Sequence, residues 1–354
     1  MSKAKKKSLP KNFKELLKFG DIEALKAVFE ECDVNARGGV FKSTALSFSE
    51  CPDELTRWLV KNGADLNVTD QYGNTPLHHI ARYWRGPTQP SVQLLIELGA
   101  DVNASASIGS PLHAAADSKN APNAALLIAH GAHVNGKNRS DLSPLEVALQ
   151  GCSSSDIERM APLARVLLNT GAEKTPTAKQ FVTQIGERFE FIRDKFNPET
   201  VDVSSSSLDE LYSLFDVPPV PRRQIHDGKK PIHVKAIVWT EQHQELWRQL
   251  VPGTGPAATM QGEVIRISGR ITDEISRNGG ANWDADFRKM SKAFLDIVRS
   301  GTALPFEQLQ DCEAIIVSLN RREAGDAYLL AKSAVSWVLL NPQPKPLEKP
   351  SYRR

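Results

Sequence analysis

The side chains of this chain that could do acid–base, nucleophilic or metal chemistry are eight histidines, four cysteines and a few neighbouring carboxylates. Cys32, Cys51, Cys152 and Cys312 lie far apart and form no Cys-x-x-Cys pair, so neither a zinc knuckle nor a redox dithiol is predicted. His78 and His113 invite a metal assignment; His226, His233 and His243 are spread over a connecting stretch and a helix and form no ligand set. Asp284, Asp286 and Glu274 could bring carboxylates together, yet no His-rich spacing or nucleophile elbow accompanies them. Asp284 and Asp286 suit the positive end of a helix beginning nearby. Gly253-Thr254-Gly255-Pro256 precedes a helix, where a glycine turn can hold an anion. It lacks the Gly-Lys-Ser/Thr ending of a nucleotide-binding loop and reads better as a plain turn. No catalytic residue, no metal and no cofactor is expected.

The totals exclude other classes. The 354 residues carry 44 Lys+Arg against 42 Asp+Glu, a net charge of +2, and each half is almost neutral, so no surface for coating phosphates and no nucleic-acid partner are expected. The Lys3–Lys7 cluster reads as a solvated, disordered tail, with a nuclear address or a contact to an acidic surface as the alternatives. No apolar run approaches the ~20 residues that span a bilayer, and Phe13–Phe19 is interrupted by Lys14, Glu15 and Lys18, so neither a membrane nor a secretory core is expected. The scattered cysteines fit a reducing cytosol, hence a cytoplasmic location. The length favours two domains over one core.

One phrase recurs: Thr44-Ala45-Leu46-Ser47, Thr75-Pro76-Leu77-His78, Ser110-Pro111-Leu112-His113 and Ser143-Pro144-Leu145-Glu146. A second keeps the same rhythm: Cys32-Asp33-Val34-Asn35, Gly63-Ala64-Asp65-Leu66-Asn67, Gly99-Ala100-Asp101-Val102-Asn103, Gly131-Ala132-His133-Val134-Asn135 and Gly171-Ala172-Glu173. Thr or Ser accepts a hydrogen bond from a helix's free first N–H groups, and Pro fits the first helical position, where no N–H is needed. The first phrase therefore opens a short inner helix rich in small residues. Residues 92–96, 124–128 and 163–168 carry apolar side chains at helical spacing and form outer helices. Gly63, Gly99, Gly131 and Gly171 end them where a left-handed backbone is required. One such pair cannot bury its apolar face alone, so the units must stack.

These phrases resemble the ankyrin repeat family, over about Asn12 to Thr175, in four to five units including caps. The second full unit carries an insertion around Tyr83–Pro90, the fourth another at Gly151–Asp156. The resemblance implies protein binding through the concave face of inner helices and finger-like turns, and no reaction. On that mapping the partner-binding candidates are Arg37, Phe41, Gln71, Tyr72, Ile108, Lys137, Asn138 and Arg139 in the turns and His79, Arg82 and Tyr83 on the inner helices, with Trp84 beside them. Tyr72, Tyr83 and Trp84 have the side chains that dominate many binding energies; Tyr83 and Trp84 alternatively fold down on the inserted loop. In the same pattern His78 and His113 are structural, tying turns together by hydrogen bonds.

Phe181, Ile185, Phe189 and Ile192 mark a helix capping the stack, so the repeat domain is placed at 12–200 behind a disordered basic tail at 1–11. Residues 201–231, with Ser204–Ser207 and Pro218-Pro219-Val220-Pro221-Arg222-Arg223, read as a linker; the prolines form either a stiff spacer or a polyproline ligand. Residues 232–341 show five helical segments and are expected to form a helical bundle, with Trp239, Trp247, Trp283 and Trp337 as core or rim. Residues 342–354 are expected to be disordered. The fold class is all-α, an ankyrin-repeat solenoid followed by a linker and a C-terminal helical bundle. The second half also resembles a group of bacterial ankyrin-containing proteins, through Met260-Gln261-Gly262-Glu263 and Gly279-Gly280-Ala281-Asn282-Trp283-Asp284, and that resemblance implies no site. The function expected is non-enzymatic protein–protein interaction, as an inhibitor or immunity-type regulator. The alternative is an enzyme whose C-terminal helical domain is catalytic and whose stack recruits substrate.

Overall fold

The computed structural model describes residues 4–83, 92–323 and 325–353. Contacts divide the chain into two units, Met1–Phe189 with Pro198–Val220, and Glu190–Asn197 with Pro221–Arg354.

The first unit opens with β1 (Lys6–Ser8), α1 (Phe13–Phe19), α2 (Ile22–Glu31), β2 (Cys32–Gly38) and β3 (Ser43–Thr44). β1 pairs parallel with β2, and β2 antiparallel with β3. The basic tail expected to be disordered is therefore ordered from Lys6 to Leu9, because β2 offers it a partner edge and Leu9 buries its side chain. Phe13 meets Phe29 and Phe48 edge-to-face at 6.0 and 5.6 Å, closing the worn first pair.

The repeating pairs follow. The inner position of the first is a single 3₁₀ turn, Ala45–Ser47, before α3 (Asp53–Lys61). Thr44-Ala45-Leu46-Ser47 lacks the proline, and with the short Ser47 in place of His or Glu at the third helical position no side-chain cap bond forms at Thr44. Pro52 then stands at the start of α3, as its N-cap residue. The next pairs are α4 (Pro76–Arg82) with α5 (Val92–Glu97), α6 (Pro111–Asp117) with α7 (Ala121–Ala129), and α8 (Pro144–Gln150) with α9 (Ile157–Asn169). α4, α6 and α8 each begin with a reciprocal capping box, between Thr75 and His78, Ser110 and His113, and Ser143 and Glu146.

The asparagine that ends each second phrase stitches one unit to the next. Asn103 donates to the Gly131 carbonyl at 3.0 Å and accepts from the His133 N–H at 3.0 Å. Asn35 does the same to Gly63 and Asp65, and Asn135 to Gly171 and Glu173. The glycines before these links, at φ of +88 to +102° for Gly63, Gly99, Gly131 and Gly171, turn the chain where a side chain would strain it.

The unit ends with α10 (Pro176–Ile192) and α11 (Pro198–Phe215). α10 buries Ala178, Val182, Ile185 and Phe189, a stripe shifted from the expected one, which leaves Phe181 half-buried. α11 corrects the linker reading of 201–231 for residues 201–215: its serines sit in a helix packed on α9, with Leu208, Leu211 and Phe215 buried and Ser204 donating to Glu158 at 2.9 Å. Residues 216–231 form no helix or strand.

The second unit holds α12 (Trp239–Leu250), α13 (Met260–Asn278), α14 (Ala285–Val298), α15 (Phe306–Asn320) and α16 (Ala327–Leu340), with α13 and α16 as the central pair. Trp337 and Trp283 are buried in its core, Trp239 and Trp247 half-buried. Residues 342–353, expected to be disordered, lie ordered across the start of α13. The Met260 N–H donates to Lys345, the Leu347 N–H to Ala258, and Gln261 binds the carbonyls of Asn341 and Gln343. Tyr352 is buried and donates to Glu263 at 2.6 Å. The Pro-rich composition hid this because the partners are some eighty residues upstream.

Candidate partner-binding surface

Each finger turn is built by a short polar side chain at its base. Asp70 accepts from the N–H groups of Tyr72 and Asn74, both at 2.8 Å, and Asn138 accepts from Ser140 and Leu142 in the same way. These closures leave the tips, Gln71-Tyr72 and Arg139-Ser140, pointing out from a rigid frame. Burial acts to raise the Asp70 pKa, but the hydrogen bonds from Asn74, Tyr72 and His79 outweigh it and hold the carboxyl below its ordinary value.

His79 comes from α4 to the same place. Its Nε2 donates to Asp70 Oδ2 at 3.0 Å, and its ring lies 6.2 Å from the Phe41 ring. Phe41 also meets Tyr72 edge-to-face at 6.1 Å, and the Gln71 N–H donates to the Phe41 carbonyl at 3.3 Å. Four of the sequence-predicted residues, Phe41, Gln71, Tyr72 and His79, thus form one cluster. Two of its rings are far from buried, Phe41 at 50% and Tyr72 at 54% exposed, while His79 lies mostly covered beneath them. Val40 beside them is 84% exposed.

The remaining candidates are spread along the stack. Arg37 sits in β2 with its side chain exposed. Arg82, exposed, lies 3.6 Å from Asp117 at the end of α6. Tyr83 ends α4, half-exposed, with its carbonyl held by Asn120 and Asn123. Ile108 is half-buried in the third turn, and Lys137, exposed, reaches Glu146 at 2.9 Å. Asn138 is spent on its own turn, and Arg139 is exposed at the tip. Trp84 lies outside the described residues, as do residues 85–90 of the inserted loop.

The histidines of the first phrase face inward. The Thr75 N–H donates to His78 Nδ1 at 3.1 Å, and Nε2 faces the Gly109 carbonyl of the next unit at 3.0 Å. An N–H donor on one side and a carbonyl acceptor on the other require the neutral ring with its proton on Nε2. Burial holds the His78 pKa down at about 4, and pushes that of His113, bound alike to Ser110 and Leu142, down as well. Glu146 takes the equivalent place in α8. Its burial is outweighed by bonds from Ser143, Thr175 and Lys137, which keep it ionised down to about pH 2. Among the described residues no group of His, Cys, Asp and Glu could hold a metal.

In the second unit the carboxylates singled out by sequence serve the frame. Asp284 caps α14 through the N–H groups of Asp286 and Phe287, and Glu274 accepts from the Asn282 N–H at 2.7 Å. Sequence reasoning missed the buried trio of Glu263, Arg266 and Tyr352. Arg266 pairs with Glu263 at 2.7 Å, and the only trace in the sequence is a Glu/Arg pair at helical spacing between apolar residues.

Paired helices, capping-box histidines and finger turns define a stacked helix-pair module. Residues 15–106 match the family model for ankyrin repeats, in three copies. An ankyrin repeat protein of Fowlpox virus (strain NVSL) is 46% identical over 57 residues, which is 16% of this chain and 11% of that protein. The chain thus spans about a tenth of the length of the curated relative it matches. Residues 15–106 are thus similar to ankyrin repeats, and repeats of this kind indicate a protein–protein interaction module. The same geometry continues beyond the matched residues to Ala172. Among the described residues no helix is long and apolar enough to cross a membrane.

Proposed function

We propose that the stack holds a partner protein against its finger tips and inner helices, with Phe41, Tyr72 and His79 as the central anchor. The carrying observation is the contact of two half-exposed aromatic rings, Tyr72 on a turn fixed from beneath by Asp70 and Phe41 tied to that turn by the Gln71 N–H. Rings ordered beforehand by their mutual contact lower the entropy cost of docking. Arg37, Arg82, Tyr83, Ile108, Lys137, Asn138 and Arg139 extend the face along the stack, with the polar ones forming its rim. The second unit, with its filled core, supplies a separate contact. Buried free thiols at Cys32, Cys51, Cys152 and Cys312 support work in a reducing compartment such as the cytoplasm. By covering its partner the chain acts as an inhibitor or immunity-type regulator.

The test is affinity purification of the full chain from its native host beside a Phe41→Ser/Tyr72→Ser variant, with circular dichroism to establish that both fold alike. A partner held by the wild type and lost by the variant supports the reading, and inhibition of that partner's own activity supports the regulatory role. A partner held equally by both sinks the tip as the docking site.

A further inference from the structure

Resting on that reading, we infer that the segment received by this face is acidic and carries one apolar side chain: an extended protein stretch with Asp or Glu on either side of an aromatic or aliphatic residue. The carboxylate at the anchor, Asp70, is already used, and so is the buried Glu146 farther along the stack. The Asp70 side chain is 1% exposed and bound to Tyr72, Asn74 and His79, and that of Glu146 is 4% exposed and bound to Ser143, Thr175 and Lys137. Asp117 lies against Arg82, which leaves Asp141 as the exposed acid of the fourth turn.

The cations, by contrast, reach solvent. Arg37 and Lys42 flank Phe41 in the first turn, and Lys42 is exposed in a left-handed backbone position at φ +54°. Arg82 lies one helical turn beyond His79, on the same face of α4. Lys137 and Arg139 occupy the fourth tip. Among the described residues, Arg37, Lys42 and Arg139 have no carboxylate within ion-pair distance. An incoming carboxylate therefore displaces no internal salt bridge at these positions, while an incoming cation meets like charge on both sides of the rings. The apolar side chain of the segment fills the angle between the Phe41 and Tyr72 rings, which meet at an interplanar angle of 63°. A nucleic-acid strand also brings negative charge, but the tip offers one edge-to-face aromatic pair rather than a run of stacking platforms.

The experiment is selection of a random phage-displayed peptide library on the immobilised full chain, repeated on the Phe41→Ser/Tyr72→Ser variant and on an Arg37→Glu/Lys42→Glu/Arg139→Glu variant. All these side chains are exposed, so both variants should fold. The expected result is enrichment of peptides with Asp or Glu around one apolar residue, lost on the aromatic variant. A synthetic copy of the leading peptide should bind the charge-reversed variant at least about tenfold more weakly and lose affinity as salt is raised. Neutral or basic peptides that are lost on the aromatic variant overturn the acidic partner and leave the docking reading standing. Peptides indifferent to the aromatic variant, or no enrichment, overturn both. A labelled oligothymidine that binds the wild type more tightly than the leading peptide, and loses its binding on the charge-reversed variant, assigns the face to nucleic acid and overturns the inference.

Discussion

Replacing His78 by Gln should exchange stability at neutral pH for stability in acid, with the two unfolding curves crossing. In the folded stack the His78 ring is buried and neutral, and its pKa sits at about 4 against 6.5 for the free side chain. Above pH 6.5 the ring is neutral in both folded and unfolded chains, so its contribution is complete. As pH falls the unfolded chain takes up the proton first, and the contribution drains away until about pH 4, where the folded ring protonates too. At about 1.4 kcal/mol per pH unit, that interval is worth about 3 kcal/mol. Gln at this position can still accept the Thr75 N–H, as it does in other capping boxes, but loses the bond to the Gly109 carbonyl, for a cost of about 1–2 kcal/mol at neutral pH. Wild type should therefore be the more stable by about 1–2 kcal/mol at neutral pH and the less stable by a similar amount near pH 4. The assay is urea unfolding of both chains by far-ultraviolet circular dichroism across that range. Every other titrating group is common to both, so the difference curve isolates position 78. A difference that stays constant with pH would refute the assignment of a neutral, buried, Nε2-protonated ring.

Gly109→Ala should destabilise the stack by more than about 2 kcal/mol, because an added Cβ would lie 2.5 Å from His113 Nδ1 on a backbone at φ +114°; thermal unfolding checks it. Asn103→Ala removes both stitches to the next unit and should cost about 1–3 kcal/mol, read as a lower urea midpoint with an unchanged slope. Arg266→Met should cost about 3–5 kcal/mol, since it leaves Glu263 buried without its ion pair, whereas Tyr352→Phe should cost about 1–3 kcal/mol and raise hydrogen exchange at the Met260 and Leu347 amides first. Cys51 and Cys152, with thiols pushed up to about 12 by burial, should resist a disulfide reagent at neutral pH until the stack is unfolded.

The repeats were legible because their signals are local. A cap, a proline, a small-residue helix and a left-handed glycine are each set by a few neighbouring residues, and their return in register leaves stacking as the way to bury the apolar faces. Thr75–His78 and Gly99–Asn103 sufficed for this. What the local signals could not carry is every contact closed over a long loop. Lys6–Ser8 is ordered by the edge of β2, the serines of α11 by the flank of α9, and Pro342–Arg353 by Gln261 and Glu263, whereas composition alone marks all three as unstructured. The candidate site divides along the same line. Sequence placed Phe41, Gln71, Tyr72 and His79 on turns and inner helices, but only the stacking of one unit on the next brings Phe41 within ring contact of both Tyr72 and His79 and places Asp70 beneath them. Periodicity specifies which face of an element is buried, and tertiary packing specifies which exposed side chains become neighbours.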